Sequence, residues 1–236
     1  MLFSHSKMHV FKPAPDRLFV ILTAGNLATT QAIISRIEHE LEDTNAKTNL
    51  LSCNKMLDAA KYVSSVSREE QAHAQKSTAA AGVDTSASMI LGGQVKGNPT
   101  AIYLMYAAGN FISDSDETTF LQIGENKYGK PILDRILTRS TSLDDAARCA
   151  IVSMDSTIKS NATVGPPIEV LIYEKDTFED DHYIRLDEGD EYLRDIRQSW
   201  NDALNIAFAE LPQFDWEERT QQKSSNVLPI NSDKNQ

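Results

Sequence analysis

The chain has 236 residues, 41% of them hydrophobic, and a formal net charge of −11 from 23 Lys and Arg against 34 Asp and Glu. That hydrophobic share supports one sizeable core, while the acidic balance argues against general nucleic-acid binding and against docking on anionic lipid. No stretch reaches the roughly 18–20 apolar residues of a bilayer span, and "MLFSHSKMHV" has no apolar run or cleavage site of a secretory leader, so a cytoplasmic protein is expected.

In chain order, "KMHVF" (7–11) and "RLFVILTA" (17–24) read as two strands, joined by the turn chemistry of "KPAPDR". Gly25 and Asn26 end the second strand and open a helix carrying Leu27, Thr30, Ile34, Ile37 and Leu41 at helical spacing. A second helix starts near Lys55, with Met56, Ala59, Val63 and Val66 as its apolar stripe, and its polar, then alanine-rich far end is expected to fray or to be exposed. Three β-branched or aromatic runs follow at 85–95, 100–109 and 118–124. Gly92 and Gly93 inside the first predict a bulge or a close backbone approach.

Two more helices come next. Pro131 stands in the first turn of one, and Ser142 with Asp145 forms a capping-box relative at the start of the other. The stripe of the latter is Leu143, Ala147, Ala150, Ile151, Met154 and Ile158. A strand is expected over 168–176. Eight acidic residues between Asp176 and Glu191 then predict a solvated loop. A last helix near 190–211 carries Leu193, Ile196, Trp200, Leu204, Ala207 and Leu211, and the polar tail beyond it is expected to be disordered. Strand blocks alternating with helix pairs indicate an α+β layered fold.

Strong chemical motifs are absent: there is no glycine-rich dinucleotide or phosphate loop, no H-E-x-x-H and no C-x-x-C. The five histidines (5, 9, 39, 73 and 182) lack ligand spacing, so no metal and no cofactor are expected. Cys53 and Cys149 read as reduced, buried thiols. A scattered set remains. Lys7 stands at the mouth of a strand, where lysine commonly guards a sheet edge. Gly25 lies at a helix start, where a backbone N–H faces anions. Asp155 interrupts an apolar helix face and has Lys159 as an i,i+4 surface partner. On the residues alone, the edge-guard and surface-pair readings hold.

Taken together, "SKMHVFKPAPDRLFVILTAGNLATTQAIISRI", "LQIGENKYGKPILDRI" and "SMDSTIKSNATVGPP" resemble the bacterial proteasome-like proteins called Anbu, relatives of HslV and of proteasome β-subunits. The likeness covers about residues 3–215. It implies a four-layer αββα N-terminal nucleophile hydrolase sandwich and threonine-type peptide-bond hydrolysis. It also implies a homo-oligomer, as a ring or an open helical assembly, acting on peptide or unfolded-protein substrates. An ATP-driven unfoldase partner is left open by the resemblance. By the resemblance, Lys7 is the active-site lysine beside the nucleophile, Gly25 the oxyanion-hole glycine, and Asp155 the helix aspartate that orients the N-terminal amine, a task Ser160 shares. Glu125 stands where β-subunits have a serine.

The resemblance also sets the expected departures. The family's nucleophilic threonine precedes the lysine, and only six residues precede Lys7 here. The sandwich is therefore expected to lack its first two strands, and the chain alone to be inactive and poorly soluble. The expected organisation is a truncated proteasome-like domain over 1–176, an acidic loop and extra C-terminal helix over 177–215, and a disordered tail over 216–236. A noncatalytic structural subunit of a proteasome-like homo-oligomer is the alternative, and a small-molecule binding module the remote third.

Overall fold

The computed structural model describes residues 5–115, 117–214 and 216. β1 (Met8–Ala14), β2 (Arg17–Gly25), β3 (Ala87–Val95), β4 (Ala101–Met105) and β5 (Phe111–Ser113) pair antiparallel in that order as one sheet. Strand alternation gives this sheet two different faces. Phe19 and Ile21 of β2, Met89 and Leu91 of β3 and Met105 of β4 point to one side and are fully buried. They meet Ile33 and Ile37 of α1 (Leu27–Glu42) and Ala59 and Val63 of α2 (Met56–Thr78) in the principal core. Burying each of the larger aliphatic or aromatic side chains contributes about 1.5–3 kcal/mol.

The opposite face is less complete. Leu18 and Ile90 are buried there, but Val20, Leu22, Ile102 and Leu104 stay half-buried. A small second sheet pairs separately, from β6 (Ile168–Leu171) and β7 (Tyr183–Leu186). Polar bonds tie the segment between these strands to the first sheet. Gln94, fully buried, accepts from the Tyr173 hydroxyl (2.7 Å) and from the Asp176 amide (2.8 Å) at Oε1. Its Nε2 donates to Asp176 (2.7 Å) and to the Asn98 carbonyl (2.8 Å). Lys12 adds ion pairs to Glu179 (2.7 Å) and Asp180 (3.0 Å). α3 (Lys130–Ile136) packs on α4 (Leu143–Ser160), and α4 packs on β6. The compact unit holding all this runs to Leu193; a second unit starts at Arg194 and contains most of α5 (Glu191–Ala209).

The glycine pair in β3 resolves as a close approach. Pairing with β2 is continuous, and a Cβ on Gly93 (φ +145°) would strike the Leu18 carbonyl oxygen. The register irregularity falls instead in β1, between Phe11 and Ala14. Three sequence expectations are corrected. Residues 118–124 form no strand beyond a single Ser115–Thr118 bridge, because β-propensity needs a ladder partner and the pairing edge is taken by β5. The acidic stretch contains β7, where Arg185 pairs across from Glu169 and offsets the surrounding charge. The far end of α2 does not fray, staying helical to Thr78, and it is the exposed end expected. Finally, α4 buries Cys149, Ile151, Ser153, Asp155 and Thr157, while its expected apolar stripe leaves Leu143 (53%) and Met154 (38%) exposed. The Ser142 cap holds, accepting from the Asp145 amide at 3.1 Å, and Pro131 sits in the first turn of α3. The expected disordered tail lies almost entirely outside the described residues.

Candidate active site at the end of the first two strands

Lys7 sits at the bend that opens β1 and is solvent-exposed. Its carbonyl accepts from the Thr23 amide at 2.9 Å, continuing the β1–β2 ladder by one residue. Two residues beyond Thr23, Gly25 closes β2 at the same end of the sheet. The hydrogen-bond alternation of the ladder then decides which way Gly25 points. Asn26 donates to the Ser86 carbonyl (2.9 Å), so Asn26 bonds toward β3 and Gly25, its neighbour, faces the β1 side. Outside the strand ladders, no backbone acceptor meets the Gly25 N–H among the described residues. The residue must be glycine: φ is +106°, and a Cβ would strike the Ser86 carbonyl oxygen.

α1 begins at the next residue but one. Asn26 caps it, Oδ1 accepting from the Thr29 amide (3.2 Å) while Nδ2 donates to the Asp84 carbonyl (3.0 Å). The exposed Gly25 N–H therefore lies beside the positive end of a 16-residue helix. An outward amide and a helix N-terminus both favour a developing negative charge. Lys7 makes no ion pair among the described residues, so its ammonium charge is not cancelled by a bonded carboxylate there.

The loop around Gly124 connects this end to α4. A Cβ built on Gly124 would lie 3.3 Å from the Ala24 Cβ. Next to it, Glu125 accepts from the Lys127 amide (3.0 Å) and from Asn161 Nδ2 (3.2 Å). Asn161 is the C-cap of α4, its own amide donating to the Thr157 carbonyl at 2.8 Å. Glu125 thus ties the loop above Ala24 to the helix that carries Asp155. Asp155 is buried on that helix, and Ser160 is exposed at its last turn. The structure sets Lys7 opposite Thr23, two residues short of Gly25 on the β1–β2 ladder, and the loop around Gly124 ties the Ala24 end of β2 to the helix that carries Asp155. Within the loop, the buried Gln122 Oε1 has no hydrogen-bond partner among the described residues.

Sequence reasoning missed one further cluster. The Ser6 hydroxyl lies 2.8 and 3.0 Å from the two carboxylate oxygens of Glu169 on β6, and the Tyr183 hydroxyl donates to Glu169 at 2.8 Å. Nothing in the sequence flags it, since Glu169 reads as one polar residue of a short alternating strand. Nearby, burial pulls the His9 imidazole below its usual range, opposed in part by Glu38 and Glu169. Burial pushes the Cys53 thiol up to about 11 and the Cys149 thiol upward, so both are poor nucleophiles. The described residues contain no group of three or more metal-type ligands, and none of their helices is long and apolar enough to cross a membrane. A cleft of about 570 Å³ between α1 and α2, lined by Arg36, Glu40, Lys47, Lys61 and Tyr62 among others, holds none of the three site residues.

No family model and no curated protein matches the chain. Solved structures do. Anbu from Yersinia bercovieri is 39% identical over 90% of this chain and 88% of its own, with a TM-score of 0.83. The Anbu complex from Pseudomonas aeruginosa, solved as a helical assembly, is 40% identical over 90% of this chain and 87% of its own, at 0.84. The chain belongs to the Anbu family. Anbu from Hyphomicrobium sp. strain MC1 agrees, at 40% identity over 90% and 88% of the two chains and a TM-score of 0.82. Its Anbu membership makes the protein a proteasome-like subunit of mixed α+β fold, built on a five-stranded antiparallel sheet.

Proposed function

We propose that this Anbu subunit belongs to a threonine-type peptidase in which Lys7, Gly25 and Asp155 serve a nucleophile carried on a strand N-terminal to the described residues. The observation that supports the reading is the Thr23 amide bond to the Lys7 carbonyl, which sets Lys7 at the same end of the β1–β2 ladder as Gly25 and the start of α1. In this mechanism the threonine hydroxyl attacks the peptide carbonyl and passes its proton to the N-terminal amine, directly or through a water. The Lys7 ammonium favours the ionised hydroxyl, and the Gly25 N–H holds the oxyanion. The leaving amine takes the proton, and water then hydrolyses the acyl-enzyme ester. Asp155 orients the N-terminal amine, and Glu125 holds the loop beside it.

The half-buried face of Val20, Leu22, Ile102 and Leu104 supports the position of that strand. In this reading two strands join β6 and β7, cover the face and complete a four-layer αββα sandwich, with the segment over 177–215 as an appendage. The substrate class is peptide or unfolded protein, and the setting cytoplasmic. Assembly into a homo-oligomer is supported by the helical assembly of the Pseudomonas relative. It is also supported by exposed apolar side chains: Leu143 and Met154 on α4, and separately Ile206 (63%) and Phe208 (75%) on α5. Those same surfaces favour a second reading, a noncatalytic structural subunit of the oligomer.

Intact-mass measurement of the native protein, with hydrolysis of a fluorogenic peptide, separates the two. An N-terminal threonine and a Lys7→Ala loss of about 10²-fold or more in kcat support the peptidase. A native N-terminus at Met1 and no hydrolysis by the native assembly support the structural subunit.

A further inference from the structure

We infer that Glu169 is a positioning residue for Lys7, acting through the Ser6 hydroxyl; the inference rests on the catalytic reading of Lys7. Three contacts around Ser6 carry it. Ser6 Oγ accepts the Met8 amide at 3.2 Å, so the hydroxyl closes a loop around Lys7 from the residue before to the residue after. The same Oγ lies 2.8 Å from the Met8 carbonyl and 2.8 Å from Glu169 Oε2. A hydroxyl has one proton to give, and a carboxylate is the stronger acceptor. With Glu169 ionised, the proton goes to Glu169 and the loop is anchored to β6. The Tyr183 hydroxyl holds the carboxylate from the neighbouring strand at 2.8 Å, diagonal to the Glu169–Arg185 pair.

The anchoring matters because of what holds Lys7 on its other side. The Lys7 carbonyl takes the Thr23 amide of β2, the strand that ends at Gly25. Lys7 is therefore gripped between two sheets: by Thr23 toward the oxyanion donor and by Ser6–Glu169 toward β6. Without the second grip, an exposed residue at the very start of a strand frays, and the Lys7 side chain loses its placement in the proposed site. A displacement of about 1 Å in a reacting group costs on the order of 10²-fold in rate. Among the described residues, Glu169 makes no hydrogen bond or ion pair with the Lys7 ammonium or with Gly25, so its effect is on placement.

The test uses the native assembled protein with Glu169→Gln, Ser6→Ala, the double variant and Tyr183→Phe. Amide exchange at Met8 and steady-state hydrolysis of a fluorogenic peptide are both read. The expected result is faster exchange at Met8 in Glu169→Gln and a kcat reduced about tenfold with KM unchanged. Ser6→Ala should match it, the double variant should be no worse than either single one, and Tyr183→Phe should fall between. Unchanged exchange at Met8, or losses in Ser6→Ala and Glu169→Gln that multiply in the double variant, overturn the inference. Lys7→Ala hydrolysing at the native rate overturns the catalytic reading of Lys7 itself, a result distinct from either of those.

Discussion

The α1–α2 pair and α4 are amphipathic in sequence to a similar degree, yet they bury different things. Along α2, the spacing of Met56, Ala59, Val63 and Val66 marks the side that enters the core, and all four are buried. Along α4, the apolar spacing runs through Leu143, Ala147, Ala150, Ile151, Met154 and Ile158, of which Ile151 is buried and Leu143, Ala150 and Met154 are exposed, while Ser153, Asp155 and Thr157 are buried. The first helix pair has one neighbour, a sheet face of Phe19, Ile21, Met89 and Leu91, and hydrophobic matching is decisive. α4 lies against both α3 and β6, and its polar side chains are bonded, as when Thr157 Oγ1 donates to the Ser153 carbonyl at 2.9 Å. A stripe left outside on such a helix is available to another subunit.

The comparison can be broken in order of expected size. Ile37→Ala, in the α1 core, should destabilise by about 2–5 kcal/mol in chemical denaturation. A loss under about 1 kcal/mol would mean that α1 is not held by this core. Gln94→Leu should cost about 1–3 kcal/mol, because it strands the Tyr173 hydroxyl and Asp176 amide on the other face. Ser142→Ala should lower stability by about 1 kcal/mol through the start of α4. The paired change Leu143→Ala with Met154→Ala should shift denaturation by no more than about 0.5 kcal/mol per site. The same change should reduce the oligomer size seen by light scattering; an unaltered size together with a large stability loss would place that stripe in an intradomain contact.

His9 gives the comparison a pH dependence. Its folded-state pKa lies below the unfolded value near 6.5, with burial the main cause. The unfolded chain therefore binds more protons as pH falls through that value, and stability declines below about pH 6.5. Replacing His9 with Gln should flatten the slope of denaturation midpoint against pH between about 5 and 7. An unchanged slope would assign the acid sensitivity to other groups.

The legible parts of the molecule are those governed by local rules. The period of β1 and β2, the Asn26 and Ser142 caps, and the glycine needed where Gly93 meets Leu18 all depend on residues near in sequence or on backbone sterics. The candidate site was partly legible: on the residues alone Lys7 reads as an edge guard, and only the family likeness singled it out with Gly25, at the same end of the β1–β2 pair. Glu169 was not legible, because its contact with Ser6 joins two sheets and leaves no periodic or compositional trace. β7 was hidden by charge, since counting acids over 176–191 hides the one stretch whose Arg185 and flanking apolar residues pair with β6.

The sequence by itself determined the elements: hydrophobic period, capping chemistry and turn residues are properties of a few neighbouring side chains and survive any packing. It also carried the family likeness. Only the tertiary structure decided which side of α4 is covered, which strand edge takes a partner, and that the Gly25 N–H is turned outward toward the Lys7 end of β1. Those outcomes depend on contacts between residues far apart in the chain, where burial and hydrogen-bond pairing are settled by what lies opposite.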